Sequence, residues 1–401
     1  MTKRIARLKE SQWAKRHHAF RTSPPAGIEE RYRGAALSDV QRTALRLKAA
    51  LDAETPALME DELIAFTRTV PSLPMIFTDS EWAEIRANHY IHESGNVSNL
   101  SPDYERIIRC GLAPIRERLG ESEEHCAMRL AIDALLALTR RYAERAEQMG
   151  MRAMAKTLRR VPAQRAKTFR EALQSLRILH FCMWCEGDYH NTLGRFDQYM
   201  LPYLQHDLAD GIETEDSALE LLEAFFLSCN RDSDLYPGMQ QGDNGQSIVL
   251  GGMRPDGTDG FNLLSKMCLK ASAELRLIDP KINLRVGRNT PLWVYEMGTE
   301  LTKLGLGFPQ YENDDVAIPA LKALGYAEED ARNYAMAACW EFIIPGRGME
   351  IPNIGALPFA NIVDAVIRKT LADGADMEAI KEAVRDAVFR RVRETLAGCK
   401  N

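Results

Sequence analysis

Ser247-Ile-Val-Leu-Gly-Gly252 and Lys281-Ile-Asn-Leu-Arg-Val286 decide how this chain is read. Each is a short apolar or alternating run, too short for a helix, and each predicts a β-strand. Between them, residues 262–276 repeat apolar side chains at three- and four-residue spacing and predict a helix. Short strands separated by long helices predict a parallel α/β architecture, with a barrel as its closed form.

Outward from that core the pattern is helical. The spacing predicts helices over 45–53, 112–119, 127–149, 168–186, 215–230, 293–304, 314–324, 328–337, 361–373 and 377–396. Glu171 falls three residues after Thr168, the spacing of a capping box. Segment 231–246, rich in Asp, Gly, Asn and Gln, is long for a connection and is expected to be functional.

Composition narrows the class. The 401 residues are 45% hydrophobic and 27% charged, which suits a globular chain with a large core. A net charge of −6 argues against general nucleic-acid binding, which needs a basic footprint. Lys3, Arg4, Arg7, Lys9, Lys15, Arg16 and Arg21 are a local exception, read as a solvated helix face or arm. No apolar run is long enough to span a membrane, and the N-terminus does not read as a secretory signal. Eight scattered cysteines suit a reduced, cytoplasmic setting. Cys182-Met-Trp-Cys185, with His180 and His190 nearby, offers a redox or metal site. It lies in an apolar helical stretch with no second such pair, so core packing is the better reading.

Chemistry is concentrated near Ala338-Cys339-Trp340-Glu341, just before Pro345-Gly346-Arg347-Gly348. Cys339 supplies a sulfur reagent and Glu341 a general acid or base, and in extended backbone both point to one side. Trp340 either packs on the loop or lines a substrate cavity. Arg347 either forks onto a substrate carboxylate or pairs with Glu341 or Glu350. Asn313 and Asp314 either polarise a substrate hydroxyl or, for Asn313, cap a helix. Arg195 and Asp197 read as a structural ion pair.

Several blocks, in order from about residue 60 to 375, resemble the glycyl radical enzymes of the pyruvate formate-lyase superfamily. They are Pro102-Asp-Tyr-Glu105 with Gly111-Leu112, Glu171-Ala-Leu-Gln174, Gly194-Arg-Phe-Asp-Gln-Tyr199, Gly245-Gln246 with Leu250-Gly-Gly252, and Asp259-Gly-Phe-Asn262. Thr290-Pro291, Gly305-Leu-Gly-Phe-Pro-Gln310, Asn313-Asp314 and Glu329-Asp-Ala-Arg-Asn-Tyr334 lead into the Cys339 segment. The resemblance implies a ten-stranded β/α barrel of two halves, of which this chain holds the first half-barrel and the cysteine loop. It implies domains of 1–60, a helical segment, and 61–401, a barrel domain cut short before the glycine-radical loop.

The same resemblance implies Cys339 as thiyl residue and Glu341 as general acid or base. Trp340, Arg347, Asn99 and Asp314 are the candidate substrate-binding residues. Asn99 stands where the family has an early histidine, and His92 is the nearby alternative. The motif Arg-Val-x-Gly-Tyr, which carries the glycyl radical, is not among these residues. The expected function is therefore a thiyl/glycyl-radical lyase of anaerobic metabolism, a dehydratase or decarboxylase of a small polar metabolite. The glycyl radical is expected on a further C-terminal segment or partner, installed by a radical-SAM activating enzyme, with no other cofactor and no metal. Alternatives are a catalytic subunit of a split enzyme needing a separate glycyl-radical polypeptide, and a non-catalytic ligand-binding barrel. A homodimer is expected, with no nucleic-acid or membrane partner. Ala338 before Cys339, in place of a second cysteine, argues against acyl transfer from pyruvate. Cys339 and Glu341 are expected on a loop facing a cavity enclosed by the strands near 247–251 and 281–286.

Overall fold

Ser247–Gly251 (β1), Lys281–Val286 (β2) and Gln310–Asn313 (β3) form a parallel sheet, in that order, in a computed structural model of the chain. The structure describes residues 1–88, 99–188, 190–235, 244–254, 256–348 and 357–398. His92, Glu350 and half of the long segment 231–246 lie outside the described residues. Val249 sits opposite Asn283, which sits opposite Gln310; Gly251, Arg285 and Glu312 form another row. The helix Leu263–Leu275 makes the crossover between β1 and β2, and Leu292–Thr302 that between β2 and β3. The α/β expectation therefore holds, as three parallel strands within a mostly helical chain.

Alternation gives the sheet two different faces. Ile248, Leu250, Ile282, Leu284 and Val286 point into a large apolar core shared with the helices. Phe169–Glu186 is the central helix of that core, with Leu173, Leu176, Ile178 and Phe181 fully buried. Each such side chain contributes roughly 1.5–3 kcal/mol on removal from water. Thr168 caps this helix through the Glu171 amide (3.2 Å). The Glu171 carboxylate accepts from Lys167 N rather than Thr168 N, so the reciprocal half of the expected box is shifted by one residue.

Val249, on the other face, packs with a β-hairpin, Ala335–Ala337 (β4) and Glu341–Ile343 (β5). Residues 328–337 were expected to be one helix. The helix covers only Glu328–Arg332, and Ala335-Met-Ala337 is a strand. Pairing with β5 and burial against Val249 override the helix preference of Ala and Met.

The chain does not divide near residue 60. Ile5, Leu8, Ile28, Tyr32 and Leu51 belong to the same core as Leu176. Residues 1–76 and 97–350 form one unit, and 77–96 with 351–401 a second. In the second unit the helices Phe359–Ala372 and Met377–Gly398 pack on each other. Asp79–Ala87 is its third helix, with a complete capping box at Thr78 and Glu81.

Cys182 and Cys185 are free thiols, the first half-buried and the second fully buried. Burial pushes the Cys182 pKa up to about 12 and that of Cys185 upward as well, so both remain neutral thiols packed in the core. No described helix is long and apolar enough to cross a membrane.

Candidate active site

The β4–β5 hairpin is held at three points. At its base, Tyr334 donates to Asp314 Oδ1 (2.6 Å), and the Arg285 guanidinium lies over the Tyr334 ring at 3.8 Å. At its turn, the backbone of Ala338 lies against Gly245, just before β1. A Cβ on Gly245 would come within 3.1 Å of Ala338 Cα and 2.9 Å of the His190 ring. Gly245 has φ +70°, so glycine is needed there for conformation as well as for space. At its exit, Gly346 N donates to Ser101 O (2.7 Å). The hairpin thus runs along the sheet face opposite the helical core, with its turn at the start of β1.

Ala338, Cys339 and Trp340 make that turn. Ala338 has φ 43°, a left-handed conformation that costs a residue with a Cβ about 1–2 kcal/mol. Glu341 offsets part of this cost. Its Oε2 accepts from Cys339 N (2.8 Å) and from Trp340 N (2.9 Å). Cys339 and Glu341 are therefore brought together, by a carboxylate folding back on the turn rather than by extended-strand alternation. Cys339 and Trp340 are exposed, Trp340 by 52%. The expected enclosed cavity is not formed by the described residues; Cys339 lies on the anticipated sheet face but open to solvent.

The other expected binding residues are placed elsewhere. Asp314 is buried, and its carboxylate is fully used: Oδ1 accepts from Arg285 Nε (2.8 Å) and Tyr334 OH, and Oδ2 from Arg285 Nη2 (3.0 Å) and Met253 N (2.5 Å). It ties β2 to the hairpin base. Asn313 is a helix cap, its side chain accepting from Asp315 N. Arg347 is exposed and pairs with Asp330 at 3.3 Å, not with Glu341. Arg195 and Asp197 do not bond each other directly. They grip the end of β1 from both sides, Arg195 Nη2 donating to Gly251 O (2.8 Å) and Asp197 Oδ2 accepting from Gly251 N (2.7 Å).

Asn99 is buried at φ 57°, and neither amide atom of its side chain has a partner among the described residues. It does not stand alone. Ser101 Oγ, both amide atoms of Asn191, Asn244 Oδ1 and Ser247 Oγ are also buried and unpartnered. These segments adjoin: Thr192 N donates to Leu100 O (2.8 Å) and Leu193 N to Ser247 O (2.7 Å). On the sheet face shared with the hairpin, Asn283, Gln310 Oε1 and both oxygens of Glu312 are likewise unpartnered. Burial pushes the Glu312 pKa up to about 8, against the opposing pull of Arg285. Buried polar atoms of this kind need water or a bound molecule as partner. Sequence reading missed Asn191, Asn244, Asn283 and Glu312; alternation along β2 and β3 was the one signal, since it puts polar residues on the non-helical face.

The arrangement is thus a parallel α/β sheet with helices on one face and a cysteine-bearing hairpin on the other. A solved glycyl radical enzyme from Archaeoglobus fulgidus superposes with a TM-score of 0.78 at 19% identity, covering 98% of this chain and 64% of that one. Residues 75–388 match the pyruvate formate lyase-like family, and the chain belongs to it. Trans-4-hydroxy-L-proline dehydratase of Clostridioides difficile is 29% identical over 278 residues, 61% of this chain and 34% of that protein. Isethionate sulfite-lyase of Nitratidesulfovibrio vulgaris is 28% identical over 301 residues, 66% of this chain and 36% of that protein. The chain thus spans about a third of the length of these relatives.

Proposed function

We propose that the chain carries the thiyl and acid/base half of a radical lyase acting on a small polar metabolite. The observation that carries this reading is the hairpin turn: Cys339 exposed, on a hairpin packed against the sheet face away from the helical core, with the Glu341 carboxylate folded onto its amide. The relatives' names, a dehydratase and a sulfite-lyase, support elimination from a small hydroxylated or sulfonated compound. The unpartnered Asn99, Asn191, Asn283 and Glu312 supply hydrogen-bonding groups suited to such a polar molecule.

A glycyl radical on a further segment or a partner chain, installed by a radical-SAM activating enzyme, would supply the oxidising equivalent by taking the hydrogen atom of the Cys339 thiol. Cys339 Sγ then takes a hydrogen atom from a substrate C–H bond, forming S–H and leaving the electron on carbon. Glu341 gives a proton to the departing group, or takes one from the neighbouring hydroxyl, and the hydrogen atom returns from sulfur to the product. The exposure of Cys339 fits a site completed by further polypeptide.

Cys339→Ser in the completed enzyme should abolish turnover and leave the glycyl electron-paramagnetic signal intact, because a serine O–H bond is too strong to be broken in this way. Glu341→Gln should keep hydrogen exchange with substrate but lose roughly 10²–10⁴-fold in product formation. Normal turnover in Cys339→Ser would refute the reading. The competing reading, a non-catalytic ligand-binding protein, rests on the unpartnered polar side chains alone and is supported if substrate binds but no partner polypeptide restores turnover.

A further inference from the structure

His17 lies in the short turn Arg16–Phe20 and is buried, with 4% of its surface accessible. Neither ring nitrogen has a hydrogen-bond partner among the described residues. Unpaired buried imidazole nitrogens are costly, and an apolar side chain would fill the same space without that cost. Beside it are His18 and Asp234, the latter in the turn Ser233–Leu235 that follows the helix Glu215–Arg231. His18 Nε2 is 3.5 Å from Asp234 Oδ2, and one ligand atom from each of the three residues lies within 4.8 Å of the others.

We propose that His17, His18 and Asp234 form a site for a divalent transition metal of the zinc type, separate from the Cys339 hairpin. Two imidazoles and one carboxylate make a borderline donor set of the kind Zn²⁺ takes. Atoms bound to one tetrahedral Zn²⁺ at about 2.0–2.1 Å stand roughly 3.3 Å apart. The three side chains must therefore close by as much as about 1.5 Å, and His18 is the partly exposed member, at 29%. Arg21 pairs with Asp234 Oδ1 and leaves Oδ2 toward the histidines. In that position it orients the carboxylate from behind, as outer partners of metal ligands do. Of the other nearby cations, Arg231 is offset by Glu62 at 2.9 Å, and Lys15 acts on His18. A bound ion would tie the N-terminal turn to the end of the helix Glu215–Arg231. Asp232, the next residue, accepts from Arg68 N (2.6 Å) and from Arg177 Nη2 (2.7 Å) in the buried core. The ion's role here is structural, and it stands outside the radical chemistry.

The test is titration of the chelator-stripped chain with Zn²⁺ alone, followed by calorimetry, with X-ray absorption at the zinc edge. The expected result is one equivalent bound with two imidazole ligands, and a rise in thermal midpoint on binding. His18→Ala removes a partly exposed side chain and should weaken binding at least about tenfold; Asp234→Asn should do the same. No binding by the parent chain overturns the proposal. So does an equivalent that survives His18→Ala unchanged, since the ion then sits elsewhere, for example on the exposed thiols of Cys126 or Cys339.

Discussion

Asp314→Asn tests whether this carboxylate is part of the framework or of the substrate site. In the structure it accepts four hydrogen bonds, two of them from Arg285, and both residues are buried. Asparagine retains one acceptor oxygen and turns the other position into an N–H₂ donor. That donor must face either Arg285 Nη2 and Met253 N, which both lose their acceptor, or Arg285 Nε and the Tyr334 hydroxyl, of which the hydroxyl can turn to accept and only Arg285 Nε is left without one. The Arg285 charge loses its buried counter-ion at the same time, and breaking such a pair costs about 3–5 kcal/mol. For a unit of this size that is roughly 4–8 °C in thermal midpoint. Differential scanning calorimetry of the parent and Asp314→Asn would measure it. A midpoint within 1 °C of the parent, with turnover lost only in the completed enzyme, would refute the framework reading and return Asp314 to the substrate.

Further outcomes are expected elsewhere. Glu312 has its pKa raised by burial from an ordinary 4.5 to about 8, so the fold favours its protonated form. Its contribution is therefore full below about pH 4.5 and lost as pH rises to 8, a difference of up to about 5 kcal/mol. Glu312→Gln cannot ionise and should gain stability relative to the parent between pH 5 and pH 8.5 in urea titrations; parallel profiles would sink the idea. Gly245→Ala places a Cβ 2.9 Å from the His190 ring and 3.1 Å from Ala338 Cα at a left-handed φ. It should cost about 2 kcal/mol or more and change the alkylation rate of Cys339, read by peptide mass mapping. An unchanged rate would show that the Gly245 contact does not position the turn.

Much of this was legible because apolar runs declare themselves. Ser247–Leu250 and Lys281–Val286 gave β1 and β2, since their length and turn-bounded ends exclude a helix. The central helix was equally plain, because its stretch Leu176–Cys185 is apolar but for Arg177 and His180 and must be buried. β3 was not, since Gln310-Tyr-Glu-Asn313 is polar in composition and becomes a strand only by pairing with β2. The hairpin was missed for the same reason. Ala335-Met-Ala337 favours a helix in isolation, and only its partner Glu341–Ile343 and the Val249 surface make it a strand. At the candidate site, Cys339 and Glu341 were visible from residue type and spacing. Asn191, Asn244 and Glu312 were not, because an unpartnered buried polar atom is a property of three-dimensional surroundings.

The two oxygens of Glu341 have unequal duties. Oε2 receives both turn amides, while Oε1 has no partner among the described residues. A proton can therefore come and go at Oε1 without breaking the turn, but not without effect on it. When Glu341 is charged, the bonds at Oε2 are charge-assisted, and neutralisation weakens each by about half. Under the proposed reaction, each proton delivered or collected would tighten or slacken the loop that carries the sulfur, so the carboxylate proposed as acid/base would act also as the latch on Cys339.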